Sequence, residues 1–166
     1  LDWGQKTSSS VEMQSTHSSW RLRNLDDTIT LGKSLMEEFP SIDLLFLAGS
    51  LGSGKTSLVK GIAIALGIEE PVTSPTFALA QHYQSGRRPL IHLDLYRLEH
   101  QKDAQELFFQ EEENKLSNSI IIVEWAERLG IPFPEAWKLN LTYIDDEEGR
   151  FAQLIPPDKS EINSFT

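Results

Sequence analysis

Leu44-Leu45-Phe46-Leu47-Ala48-Gly49-Ser50-Leu51-Gly52-Ser53-Gly54-Lys55-Thr56 is the stretch on which the reading of this chain turns. Its first four residues form a short continuous apolar run, the pattern of a strand buried on both faces of a parallel sheet. The glycines that follow let backbone N–H groups turn toward a phosphate chain, and the N-terminus of the next helix adds favourable partial charge. Lys55 has the reach and charge to meet β and γ phosphates, and the Thr56 hydroxyl suits Mg²⁺. Beyond them Leu58, Val59, Ile62, Ala63 and Leu66 recur at helical spacing, and Gly67 stands where a C-cap glycine belongs. Strand, glycine loop and helix arrive in the order a P-loop requires. The expected cradle comprises Ser50, Leu51, Gly52, Ser53, Gly54, Lys55, Thr56 and Ser57. The bland alternative is a glycine-rich turn before an ordinary helix, and the flanking strand and helix weigh against it.

Outward from this stretch, the pattern predicts an α/β fold of P-loop NTPase type. A central, mostly parallel sheet would carry one antiparallel hairpin and flanking helices. Trp20 and Leu22 alternate with Arg21 and Arg23 as in a short half-buried strand, and Asp26 or Asp27 can cap a helix carrying Ile29, Leu31, Leu35 and Phe39. Pro40 ends that helix. Residues 76–83 and 89–95 alternate around Gln84-Ser85-Gly86-Arg87 and read as an antiparallel hairpin. Residues 103–113 read as an acidic amphipathic helix with Ala104, Leu107 and Phe108 inward. Ile120-Ile121-Ile122-Val123 is a second fully apolar run and ends on Glu124. Trp137, Leu139, Leu141 and Tyr143 alternate with polar residues, and a turn over 145–149 leads to a last strand over 151–155. The expected division is a disordered extension over 1–19, one domain over 20–157 and a tail over 158–166. Leu1 stands where a start Met would, Met13 lies just ahead of the first patterned segment, and folding information is expected to begin near Trp20.

The 166 residues suffice for one core, and no apolar run approaches the roughly 18 residues a membrane span needs. The opening residues lack the apolar centre of a secretory signal. No cysteine is present, which removes disulfides, thiolate zinc sites and a cysteine nucleophile, and fits a reducing compartment, so a cytoplasmic protein is expected. A net charge of −10 argues against autonomous nucleic-acid binding, which depends on clustered Lys and Arg. Any nucleic-acid role would run through a partner.

Mg²⁺ at a P-loop takes a second anchor from an acidic residue at the end of a neighbouring apolar strand, and Asp94 and Glu124 both qualify. Glu124 is the metal candidate because it follows a continuous apolar run. Asp94 follows the alternating Leu90, Ile91, His92, Leu93 of a half-exposed strand, and is the candidate to orient attacking water; the bland reading pairs it with Arg97. Thr73-Ser74-Pro75-Thr76 places hydroxyls where a loop can sense the γ-phosphate, or forms a simple Ser-Pro turn. Trp125 covers the nucleotide site or belongs to the core. The four His residues lack metal-ligand spacing, and no zinc is expected. Asn114-Lys115-Leu116-Ser117 carries Ser where a guanine-reading run needs an acid, which disfavours GTP. The acidic runs 111–113 and 145–148 read as solvated faces, with docking on a basic partner as the alternative.

Leu51-Gly52-Ser53-Gly54-Lys55-Thr56, Ser74-Pro75-Thr76-Phe77, His92-Leu93-Asp94-Leu95-Tyr96-Arg97-Leu98 and Glu124-Trp125, in that order, resemble the TsaE (YjeE) family. The resemblance spans residues 49–129, with weaker similarity in the flanks. It implies an ATPase of the bacterial pathway that makes threonylcarbamoyladenosine next to the tRNA anticodon, acting with TsaD and TsaB proteins and meeting tRNA only through that complex. It implies ATP and Mg²⁺ as cofactors, with Lys55 and Thr56 on phosphate and metal and Thr76 in a switch-like loop. Asp94 would serve catalysis, Glu124 the metal and Trp125 the nucleotide site. Two positions depart from the family pattern. The glycine expected shortly after Glu106-Leu107 is missing, and Ala126 replaces the proline after Trp125.

Two other classes compete: a small-molecule kinase, which needs a lid bearing Arg residues, and a nucleotide-dependent switch without meaningful hydrolysis. Downstream arginines are only Arg87, Arg88, Arg97, Arg128 and Arg150, and they are scattered.

Overall fold

The computed structural model describes residues 18–144 and 149–162. The predicted extension, apart from Ser18 and Ser19, falls outside the described residues, as do 145–148 of the predicted turn and acidic run and the last four residues of the tail. In chain order the elements are β1 (Ser18–Leu22), α1 (Leu25–Glu38), β2 (Leu44–Gly49), α2 (Lys55–Ala65), β3 (Ala80–Tyr83), β4 (Leu90–Asp94), α3 (Gln101–Asn114), β5 (Ile120–Glu124), a 3-10 turn (Ala126–Leu129), β6 (Trp137–Tyr143), β7 (Arg150–Ile155) and α4 (Lys159–Ile162). The strands form one seven-stranded sheet in the order β1-β7-β6-β2-β5-β4-β3. β6, β2, β5 and β4 run parallel at its centre, and antiparallel pairs close both ends.

Helices cover both faces of the parallel centre, which explains its continuous apolar runs. Leu31, Leu35, Leu58 and Ile62 of α1 and α2 pack on Leu45, Leu47, Leu90, Ile120, Ile122, Leu139 and Leu141. Ala104 and Phe108 of α3, with Leu129 and Phe133, pack on Leu44, Ile91, Leu93, Ile121 and Val123. Since side chains alternate along a strand, His92 and Asp94 share the α2 face with Leu90, and Glu124 shares it with Ile122. Among the described residues no helix is long and apolar enough to cross a membrane.

Several expectations are corrected. The cap of α1 is Asn24, whose side chain accepts from the Asp27 N–H at 2.9 Å; Asp27 instead accepts from the Arg23 N–H and Nε at 2.9 and 3.0 Å. The first hairpin strand begins at Ala80, not at 76. Pro75 has no N–H for a ladder, and the chain turns as the Leu79 N–H donates to the Pro75 carbonyl at 2.7 Å with Leu79 at φ 64°. β4 is buried along its whole length, not half-exposed: it lies between β3 and β5 and both layers cover it, so His92 is interior despite its polarity. β1 starts two residues before Trp20, and part of the predicted tail forms α4.

Candidate functional site

β2 delivers the chain into a loop over 50–54, and α2 takes it over at Lys55, so buried elements hold the loop at both ends. Gly52 and Gly54 lie in the left-handed region at φ 77° and 105°, whereas Ser53 between them does not. The Ser53 N–H closes a turn onto the Ser50 carbonyl at 3.0 Å, and the glycines on either side of it bend the backbone as an anion-binding concavity requires. Ser53 is fully buried, and its Oγ has no hydrogen-bond partner among the described residues, an unspent polar atom in the cradle itself. Thr56 and Ser57 follow in the first turn of α2, while Leu51 at the loop tip is 96% exposed. Lys55 Nζ donates to the Gly49 carbonyl at 2.5 Å and stands 6.0 Å from the centre of the Trp125 ring.

The acidic side of the site is built by strand register. Asp94 and Glu124 are opposite one another in the parallel pair β4–β5, and Glu124 is also opposite Leu47 of β2, just before the loop. Asp94 Oδ2 accepts from Thr76 Oγ1 at 3.2 Å, Oδ1 accepts from the Tyr96 N–H at 2.9 Å, and Thr76 Oγ1 lies 2.7 Å from Ser74 Oγ. The loop carrying Ser74 and Thr76 is thereby tied to the end of β4. Burial and the neighbouring Asp94 carboxylate push Glu124 up to about 7, with Lys55 opposing them. His92 Nε2 is 3.7 Å from Glu124 Oε2, and burial pushes His92 down to about 4, so this imidazole is neutral near pH 7.

These donors fit a hard cation. Thr56, Thr76, Asp94 and Glu124 offer oxygen only, and among the described residues no group of three or more His, Cys, Asp or Glu side chains converges. Mg²⁺ is ordinarily held by one or two carboxylates together with substrate phosphates, which matches so sparse a set.

The site residues expected from sequence fall at the carboxyl ends of β2, β4 and β5 and the start of α2. Trp125 follows Glu124 at φ 59°, with its ring 4.7 Å from that of Tyr96 and the Arg128 guanidinium 5.8 Å from both rings. Arg97, the bland partner for Asp94, instead lies 4.2 Å over the ring of Phe77, which is 83% exposed. Sequence reasoning missed Tyr96, which serves Asp94 through a backbone N–H that no residue type signals. It also missed Tyr143 and Arg150. The Tyr143 hydroxyl donates to the Leu51 carbonyl at 3.3 Å, and Arg150 donates to the Ser53 and Gly52 carbonyls at 3.1 and 3.3 Å.

The family model described as threonylcarbamoyl adenosine biosynthesis protein TsaE matches residues 22–152. A relative from Nostoc sp. strain PCC 7120, named tRNA threonylcarbamoyladenosine biosynthesis protein TsaE, is 40% identical over 140 residues, covering 81% of this chain and 83% of the relative. The Bacillus subtilis protein of the same name is 35% identical over 116 residues, covering 70% and 71% of the two chains. The crystal structure of Bacillus subtilis YdiB superimposes with a TM-score of 0.68 at 27% identity, covering 94% of this chain and 95% of that one.

Proposed function

Because the chain belongs to the TsaE family of threonylcarbamoyl adenosine biosynthesis proteins, we propose that it is the ATPase subunit of that tRNA modification, binding and hydrolysing Mg-ATP in complex with TsaD and TsaB proteins. The observation that carries this reading is the register that sets Asp94 and Glu124 side by side at the ends of β4 and β5, with β5 next to the P-loop strand β2. A phosphate cradle alone binds; a cradle flanked by paired carboxylates can also direct water and hold a cation.

The residues of this chain divide the work. Ser50 through Ser57 wrap the phosphates with N–H groups, and Lys55 exchanges the Gly49 carbonyl for phosphate oxygens. Thr56 and Glu124 would hold Mg²⁺, which when bound would supply positive charge against the phosphates. Asp94, oriented by Thr76 and the Tyr96 N–H, positions a water for in-line attack on the γ-phosphate, releasing ADP and phosphate. Trp125, whose ring centre is 6.0 Å from Lys55 Nζ, is assigned to cover the nucleotide. With a net charge of −10 the chain is poorly suited to hold tRNA itself, which supports contact with tRNA through the partners.

The test is Mg²⁺-dependent ATP hydrolysis by the purified protein, alone and with the TsaD–TsaB pair and tRNA, for wild type and Glu124→Ala. Stimulation by the pair, lost in the variant, is expected. Absence of binding and stimulation, together with phosphate transfer to a small acceptor, would replace this reading with a kinase.

A further inference from the structure

The P-loop is held by the antiparallel pair β6–β7, on the side of β2 away from β5 and β4. β6 pairs in parallel with β2, with Leu141 opposite Gly49, so Tyr143 extends one side-chain period past the end of β2 and reaches over the loop. Tyr143 and Arg150 are directly opposite in the β6–β7 pair, and the guanidinium lies 4.0 Å over the Tyr143 ring. From this stacked pair the Tyr143 hydroxyl donates to the Leu51 carbonyl, Arg150 Nη2 to that of Gly52 and Arg150 Nε to that of Ser53. Three consecutive carbonyls of the cradle are thus engaged by one cross-strand pair. A Cβ on Gly52 would stand 2.8 Å from the Tyr143 hydroxyl, so the lack of a side chain there also serves this contact.

We propose that Tyr143 and Arg150 are positioning residues for nucleotide binding: holding the Leu51 and Ser53 carbonyls outward leaves the N–H groups of Gly52 and Gly54 to face the phosphates, while holding the Gly52 carbonyl fixes the peptide whose Ser53 N–H closes the turn onto the Ser50 carbonyl at 3.0 Å. A peptide is planar, so fixing the direction of its carbonyl fixes that of the N–H across the same bond. A nest whose N–H groups are already turned inward binds an anion without first ordering itself, and this preorganisation acts on affinity. Asp94 and Glu124, on the other side of β2, are left untouched. The pair therefore acts on the dissociation constant for nucleotide and little on turnover once nucleotide is bound. The inference rests on the nucleotide-binding reading above.

Calorimetric titration with Mg-ADP and steady-state hydrolysis of Mg-ATP, on wild type, Arg150→Ala, Arg150→Lys and Tyr143→Phe, test it. Arg150→Ala is expected to weaken Mg-ADP binding at least tenfold and Tyr143→Phe about threefold. Arg150→Lys, which keeps the charge but loses the fork that reaches two carbonyls, falls between wild type and Arg150→Ala. KM should rise in step while kcat at saturation stays within about threefold. Should Arg150→Ala fail to fold, Tyr143→Phe and Arg150→Lys carry the same comparison, with nucleotide-free melting temperature confirming that they are folded. Wild-type affinity in folded variants overturns the clamp alone. Equal losses in kcat and affinity would assign the pair a general structural role and also overturn it. A folded wild type that binds neither nucleotide overturns the nucleotide-binding reading and the clamp with it.

Discussion

Glu124 and His92 respond to burial with opposite signs, because burial penalises whichever protonation state is charged. Glu124, 3% exposed, has a folded value near 7 above its ordinary 4.5, so the folded protein holds that proton more tightly than the unfolded chain does. The resulting stability is present below pH 4.5 and is lost as pH rises through 7, at a cost of about 3 kcal/mol by pH 8 in the metal-free protein. His92 runs the other way: its folded value near 4 lies below 6.5, so stability falls as pH drops from 6.5 through 4. Between 4.5 and 6.5 the two slopes oppose each other. Glu124→Gln removes one of them. Urea denaturation in chelator should find the variant about 1–3 kcal/mol more stable than wild type at pH 8, with the gain gone near pH 4.5. Equal stability at pH 8 would contradict the buried-carboxylate account. A residue that destabilises the free protein and is kept at the mouth of the phosphate cradle is what a metal-holding role predicts.

The helix pair α1–α2 sets where the cradle begins. The two helices cross through Gly32 and Gly61. A Cβ on Gly61 would collide with the Ile29 carbonyl, and one on Gly32 with the Leu58 carbonyl. That approach brings Leu25 and Thr28 of α1 to 3.5 Å from the Cβ position of Gly54, the N-cap of α2. Gly61→Ala improves intrinsic helix propensity by roughly 1 kcal/mol yet forces the helices apart, and overpacking of this kind costs about 1–3 kcal/mol. A lowered urea midpoint is therefore expected. A rise would mean the crossing is looser than its contacts imply. At its other end α2 closes on Gly67, with the Ile68 N–H donating to the Ala63 carbonyl at 3.0 Å, as the glycine predicted from sequence suggests.

In the whole molecule, β2 stands between two flanking devices: the Asp94–Glu124 pair on β4 and β5 and the Tyr143–Arg150 pair on β6 and β7. On the proposed function, a nucleotide bound between them would stabilise the entire fold by mass action. Mg-ATP at one hundred times its dissociation constant should add about 2.7 kcal/mol and raise Tm by roughly 5–10 °C, as read by scanning calorimetry. Lys55→Ala should abolish the shift; a shift of the same size in that variant would place the ligand elsewhere. The amino-acid order by itself determined what depends on near neighbours. The apolar runs of β2 and β5, the glycine loop leading into a helix, the hairpin around 84–87 and the carboxylates that end β4 and β5 were all legible, because each is a pattern a few residues long. Tertiary structure alone decided the burial of β4. Alternation in sequence reports one polar face, but whether a second layer covers that face depends on where α1 and α2 pack. Tertiary structure also placed Tyr143 and Arg150 on a loop 92 to 98 residues earlier in the chain. Strand order and register made those contacts, and no local pattern of side chains encodes which strands become neighbours.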